Sequence, residues 1–392
     1  MISVNEALDQ LFALAKAMPV EHIPLLDAAE RVLAEDAISH RDQPPFAASS
    51  MDGYAVKHSE VQPGARFRVI GEAAAGHRFE GGVNPGQAVR IFTGAPVPDG
   101  ADHVVIQEDV TRDGDSIVLG DTLGTGSNIR PAGADFRTGD RIKAPARLKP
   151  EDVALLASMN VAQVSVARKP VVAIIATGDE LVMLGEAPGP DQIIASNSFG
   201  LHALMRRLGA EPRMLPIARD SRASLETVLD LASDADLILT IGGASVGDHD
   251  LVAGVTADLG MERAFYKVAM RPGKPLMAGR LGNAMMIGLP GNPVSAMVCG
   301  HVFVAPVIRA MLGLGQGPSP RQNAPLSRDV AANGPREHYM RARRDETGIA
   351  PFDRQDSSLL TVLSDANALL VRPPNDPPRK AGDILPFIAL DG

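Results

Sequence analysis

From residue 169 to about 314 the chain repeats one rhythm: a short apolar run, a loop, then a helical pattern. The segments are VVAIIAT, SNSFGLHALMRRLGA, RMLPIA, SRASLETVLDLA, DLILTIGG and finally MMIGLPGN. Strands that are apolar almost throughout have no face suited to water. They predict a mostly parallel sheet with helices on both sides, a three-layer α/β domain. In such a sheet the ligand lies outside the carboxyl ends of the strands, so the loops leaving those strands hold the candidate site.

The flanking segments have other textures. Ser3 and Glu6 have capping-box spacing ahead of Leu8, Leu11, Phe12 and Ala15, and Asp27 with Glu30 repeats the signature before Arg31. Two helices are therefore expected to open the protein. From about 43 to 141, β-like runs at 67–70, 88–92 and 103–107 are separated by Gly, Pro and Asp-Gly turns. A helical pattern returns at 150–159, with Pro150 suited to a first turn and Val153, Leu156 and Ala157 on one face. The β segment then reads as an insertion into a discontinuous α+β domain. Past Gly317, ALLVRPP and DILPFIAL read as strands of a β-barrel-like module. A chain of 392 residues exceeds what one core serves. The predicted organisation is an N-terminal domain in two segments, 1–45 and 135–168, an inserted mainly β domain at 46–134, the α/β domain at 169–316 and a C-terminal β domain at 317–392.

With 38 Lys and Arg against 47 Asp and Glu, a net charge of −9, and no basic run, neither nucleic acid nor an anionic membrane is an expected partner. An anionic small molecule stays open, because a few placed cations, converging N–H groups or a metal override the average locally. No stretch approaches the ~20 consecutive apolar residues of a membrane span. Glu6 and Asp9 sit where a secretion signal would be apolar, and the single cysteine, Cys299, cannot form an internal disulfide. The expected location is the cytoplasm.

Three loops stand at strand ends. After VVAIIA, Thr177, Gly178, Asp179 and Glu180 either form a turn or place carboxylates at the crevice mouth. After DLILTI, the run from Gly242 through Gly243, Ser245 and Gly247 is either a tight turn or a phosphate cradle, with Asp250 just beyond. After MMIGL, Pro290, Gly291, Asn292 and Pro293 combine an N-cap, a first-turn proline and glycines that allow an anion close to a helix start. Lys267, Arg271 and Lys274 in KVAMRPGKP can supply cations for phosphates. His249 has no second histidine at ligand spacing and reads as a surface residue. Cys299 reads as a buried small hydrophobe, and GLGQG at 313–317 as a helix cap and linker.

The N-terminal half adds PPFAASSMDGYAV and IFTGAPVPDGADHVV. In this order, from Pro44 to Pro293, these strings resemble the molybdopterin molybdenumtransferase family over roughly three quarters of the chain. That resemblance implies one cleft containing Asp52, Thr93, Asp135 and Glu180 as catalytic residues. It implies Glu180, Asp220 and Asp250 near a metal, with Asp220 and Asp250 as the candidates for contact. For substrate binding it implies Gly243, Ser245, Gly247, Lys267, Arg271, Lys274, Pro290, Gly291, Asn292 and Pro293. In the C-terminal domain, Arg336, Tyr339 and Arg341 resemble an R-x-x-aromatic-x-R string, and Ser357 with Ser358 a serine-bearing turn; Arg341 and Ser357 join the binding set. Ala244 stands where Val is common and Arg271 where some members carry Lys; both keep the cradle and the charge.

By the same resemblance the substrates are adenylylated molybdopterin and molybdate, Mg²⁺ assists, and AMP leaves. A homodimer is implied, with a molybdopterin adenylyltransferase and recipient molybdoenzymes as further partners. The alternatives are a molybdopterin adenylyltransferase, which lacks the SMDGYA and FTGAP half, and a non-catalytic scaffold of the same fold.

Overall fold

The computed structural model describes residues 1–243 and 251–390 and divides into two compact units, Met1–Glu21 with Ala167–Gly392, and His22–Val166. Helix α1 (Val4–Leu14) begins with the expected capping box: the Glu6 N–H donates to Ser3 Oγ at 3.2 Å and the Ser3 N–H to Glu6 Oε2 at 2.7 Å. Such a cap stabilises a helix by about 1 kcal/mol. Val4, Ala7, Leu8 and Leu11 form its buried face.

The second opening helix does not form. Leu25–Asp27 is a single 3-10 turn, Glu30 takes a positive φ of 64°, and Val32–Leu33 is a strand paired with Ala146–Arg147 and, through Leu33, with Val166. Asp27 and Glu30 have capping spacing, but the stretch behind them is too short to repay helix nucleation. Its apolar residue Leu33 is consumed by a core with Leu148, Leu156 and Val166. Helix α2 (Pro150–Ser158) forms with Pro150 in its first turn. The remainder of this unit is mainly β. Its six-stranded sheet runs His103–Ile106, Gly53–Val56, Gln87–Ile91, Arg66–Ala73, Ser116–Leu119, Val110–Asp113, and contains all three β runs expected there.

In the other unit, β1 (Val171–Ala176), β2 (Glu211–Met214), β3 (Leu237–Ile241), β4 (Glu262–Lys267), β5 (Pro275–Leu281) and β6 (Ala284–Leu289) lie in the order β2-β1-β3-β6-β5-β4. The first four are mutually parallel, and β5 and β4 add an antiparallel edge. Every residue of β3 and β6 is buried, which accounts for their lack of polar alternation. Helix α3 (Ser196–Arg207) packs on β1 and β2. On the opposite face, α4 (Arg222–Asp230) and α5 (Leu251–Asp258) bury Leu225, Val228, Leu229, Val252 and Val255 with Ala173, Ile175, Ile238 and Met286. These are the three predicted layers.

After β6 the chain forms a rod of α6 (Pro293–Cys299), a π-helical turn (Gly300–Val304) and α7 (Ala305–Met311). This 19-residue rod has a mean hydropathy of 1.6, enough by composition for a membrane span, but 78% of the window is buried within the protein. Its apolarity is that of a core helix. Cys299, fully buried here, has its thiol pushed well above the ordinary thiol range by burial, as expected of a packing residue. The C-terminal region places Met270–Arg271, β8 (Glu337–Asp345), β9 (Ala368–Arg372), β10 (Ile384–Ala389) and β7 (Gln322–Pro325) in one sheet in that order. The short helix α8 (Leu360–Asp365) precedes β9.

Candidate active site

At the carboxyl ends of the parallel strands lies a cavity of ≈ 1160 Å³ lined by Thr177, Gly178 and Glu180 after β1, Asp220 beyond β2, Gly242 and Gly243 after β3, and Pro290, Gly291, Asn292 and Pro293 after β6. Backbone continuation of the sheet fixes its rim: the Thr177 N–H donates to the Ile241 carbonyl at 3.0 Å and the Gly178 N–H to the Ala218 carbonyl at 3.0 Å. Arg219 then holds the carboxylate loop. Its Nη1 donates to the carbonyls of Leu181 at 2.8 Å and of Gly178 and Asp179 at 3.3 Å. The two neighbouring acids are tied reciprocally, Asp220 N–H to Asp179 Oδ1 at 3.1 Å and Asp179 N–H to Asp220 Oδ2 at 3.4 Å. Glu180 and Asp220 thereby face one cavity from two loops.

Gly242 has a φ of +92°, and a Cβ there would lie 2.8 Å from the Thr177 carbonyl oxygen. Only glycine lets β1 and β3 end this close together. At the β6 loop the outcome differs in part from expectation. Asn292 occupies the N-cap position, yet its side chain makes no cap bond. Its Nδ2 donates to Ser357 Oγ at 3.0 Å, and the Ser357 carbonyl accepts the Val294 N–H at 3.0 Å. A competitor from a distant segment, the Ser357 turn, takes over the cap, and the same contacts seat this turn of the C-terminal region against the loop.

The basic residues are set apart from the cavity lining. Lys267 lies over the Tyr266 ring, its Nζ 5.1 Å from the ring centre. Arg271 belongs to the strand paired with β8, opposite His338, and Lys274 is exposed. None of the three lines the cavity. Arg341 is fully buried; its Nη2 donates to the carbonyls of Arg354 at 3.2 Å and Asp356 at 3.0 Å, and its Nε and Nη1 are buried without hydrogen-bond partners among the described residues. Burial and then the Arg271 charge push its pKa below the usual guanidinium value. His338, also with an unpartnered Nε2, is pushed down to about 4 by burial and by Arg271, Arg341, Arg372 and Arg336. An anion is the ligand that such a cluster of cations with unspent donors would satisfy.

In the other unit, Asp52 and Thr93 meet. Asp52 Oδ1 accepts both the Thr93 N–H and the Thr93 hydroxyl at 2.8 Å. These bonds, with Arg90 nearby, hold the carboxyl below its ordinary range. Asp135 is exposed, and its N–H donates to the Gln43 carbonyl at 2.9 Å.

Ser245, Gly247 and Asp250, together with Ala244 and His249, lie outside the described residues. Among the described residues no three metal-ligating side chains cluster. Glu180 and Asp220 on one cavity nevertheless fit Mg²⁺, which is usually held by one or two carboxylates while phosphates and water complete its shell. Two contributors escaped the sequence reading. Arg219 had as its signal only an Arg before Asp220, and Asn197, which lines the cavity and donates its Nδ2 to the Gly291 carbonyl, only a polar SNS string opening a helix.

Three family models divide the chain: the MoeA N-terminal region (domains I and II) matches residues 2–160, a molybdopterin binding domain residues 173–310, and the MoeA C-terminal region (domain IV) residues 323–390. The chain is 36% identical to a molybdopterin molybdenumtransferase of Nostoc over 95% of its length and 90% of the relative's. To the Haemophilus influenzae molybdopterin molybdenumtransferase it is 40% identical over 76% of its length and 75% of the relative's. A molybdopterin biosynthesis MoeA protein from Pyrococcus horikosii superposes with a TM-score of 0.86 at 28% identity, covering 100% of both chains. With full-length relatives above 30% identity, the strand-end cavity and all three regions matched in order, the chain belongs to the molybdopterin molybdenumtransferase family, enzymes of molybdenum cofactor biosynthesis.

Proposed function

We propose that the chain binds adenylylated molybdopterin at the strand-end cavity and molybdate at the basic residues outside its lining, inserts molybdenum at the dithiolene and releases AMP in a Mg²⁺-dependent step. The observation that carries this reading is the meeting of two carboxylates, Glu180 and Asp220, with the glycine-bearing ends of β3 and β6 on one cavity. Phosphates and molybdate are anions and would be repelled by those carboxylates alone. At about 4 Å and an effective dielectric of about 20 the repulsion is on the order of 4 kcal/mol per pair of unit charges.

Glu180 and Asp220, with Asp250 as the third member of the sequence assignment, are the residues that would hold Mg²⁺, which when bound supplies charge neutralisation between protein acids and phosphate oxygens. Gly243, Pro290, Gly291, Asn292 and Pro293, with Ser245 and Gly247 by sequence, admit the phosphate-bearing part of the substrate. Lys267, Arg271, Lys274, Arg341 and Ser357 are assigned to anion binding; the unspent donors of Arg341 beside Arg271 favour the smaller, compact oxyanion there. Asp52, Thr93 and Asp135 complete the proposed set. Asp52, kept ionised by Thr93, would act as an acceptor and not as an acid. Because these groups fall in two units, a homodimer that shares each cleft between chains is part of the proposal, as are a cytoplasmic location, a molybdopterin adenylyltransferase as supplier and molybdoenzymes as recipients.

The test incubates purified protein with adenylylated molybdopterin, molybdate and Mg²⁺ and follows AMP. AMP should form with all three present, stop on chelation of Mg²⁺ and resume when Mg²⁺ is restored. AMP formation that ignores both molybdate and chelation would refute the reading.

A further inference from the structure

Next to the main cavity lies a second of ≈ 530 Å³, and Ser196 and Asn197 line both. Asn197 therefore stands on the wall between them. Its Nδ2 donates to the Gly291 carbonyl at 2.7 Å, and since that carbonyl only accepts, the amide orientation is determined. The other end, Oδ1, is buried without a hydrogen-bond partner among the described residues. A buried acceptor left unspent at a cavity wall selects a ligand that brings a donor.

That requirement excludes the anionic parts of the substrate. Phosphate and molybdate oxygens present lone pairs, and against Oδ1 they would repel. The second cavity is the more apolar of the two: Ala203, Leu204, Met297 and Leu363 give it apolar walls, Arg207 in its lining donates to the Leu390 carbonyl at 3.0 Å, and His301, pushed down to about 4 by burial and then by Arg207, is uncharged in it at neutral pH. A flat nitrogen heterocycle matches both features, since its faces are apolar, its edge carries N–H donors, and a methionine sulfur packs well on a ring.

We infer that Asn197 is a specificity-determining residue: its Oδ1 accepts an N–H from the nitrogen heterocycle of the substrate, which occupies the second cavity while the phosphates lie in the first. The inference rests on the proposed reading of the main cavity. Two parts of adenylylated molybdopterin share this chemistry, the adenine amine and the pterin ring, and the test separates them.

Binding of four probes, AMP, purine riboside 5′-monophosphate lacking the amine, 6-hydroxymethylpterin and pyrophosphate, is measured by calorimetry for the full chain and for Asn197→Ala. If adenine is the ring, Asn197→Ala weakens AMP about tenfold, the scale of one buried hydrogen bond, to the level of the amine-free analogue, and the pterin is unaffected. A pterin in the cavity gives the converse. In both cases pyrophosphate binding is unchanged. Ala203→Trp, on an exposed helix position that lines the second cavity, should exclude the ring while pyrophosphate still binds.

Asn197→Ala that leaves both ring ligands unaltered, or weakens pyrophosphate equally, would overturn the inference and reduce Asn197 to a clamp on the Gly291 loop. Full ring binding by Ala203→Trp would overturn the placement. Binding of no probe at all would bring down the reading of the main cavity as well, whereas an indifferent Asn197 in a protein that binds them all brings down this inference alone.

Discussion

A carboxylate that accepts two hydrogen bonds from one threonine is tuned by that threonine. The backbone N–H and hydroxyl of Thr93 both favour ionised Asp52, so Asp52 should titrate below the 3.8 of an ordinary aspartate. Thr93→Ala removes the hydroxyl and leaves the N–H, and an NMR titration of the Asp52 carboxyl should show its midpoint moving part of the way back up. An unmoved midpoint would show that the hydroxyl contributes nothing. Gly291 makes the complementary case, where the added group matters through the space it takes. A Cβ there meets only the Gly242 Cα, at 3.5 Å, an ordinary contact. Gly291→Val should therefore fold, with a melting temperature close to the parent's, yet project methyl groups into the cavity and weaken pyrophosphate at least tenfold by blocking backbone approach. Unchanged pyrophosphate affinity in a folded variant would remove Gly291 from the site.

Among elements, the loop after β1 depends on a residue outside it. Arg219 donates to three of its carbonyls, so Arg219→Ala should leave the sheet intact, with unchanged far-ultraviolet dichroism. AMP release should fall on the order of tenfold to a hundredfold as Glu180 loses its placement. Equal activity would show the loop to be self-supporting. The strands of this sheet were legible because burial on both faces demands apolar runs, and α2 because a first-turn proline and an apolar face agree. The strand at Val32–Leu33 was not legible: its partners Ala146–Arg147 and Val166 are more than a hundred residues away, and a capping signature outweighs them in any local reading. Asn292 misled for the same reason, since Ser357, which takes its side chain and caps Val294, belongs to a distant segment. Arg219 carried no motif, because an arginine that binds carbonyls leaves no periodicity.

Two consequences belong to the whole molecule. His301 and His338 are each held to about 4 against an ordinary 6.5. Unfolding lets both take up protons, so their contribution is intact above pH 6.5 and is lost as pH falls towards 4, by up to about 1.4 kcal/mol per pH unit for each. Denaturant midpoints taken from pH 7 to 4.5 should decline, and His338→Gln should flatten the decline. The proposed dimer makes a sharper claim. If each cleft joins the Asp52 unit of one chain to the Asp220 unit of the other, then Asp52→Ala and Asp220→Ala are each inactive alone, for different reasons. In a mixed dimer, one cleft collects both defects and the other collects neither. Random exchange makes about half the dimers mixed, each with one sound cleft of two, so denaturing and refolding an equal mixture should restore about a quarter of parental AMP release. Clefts built within single chains would restore none, because every chain would carry a broken one. Sedimentation run on the same sample separates this from failed exchange: a mixture shown by mass tagging to contain mixed dimers, yet still inactive, would exclude the shared cleft.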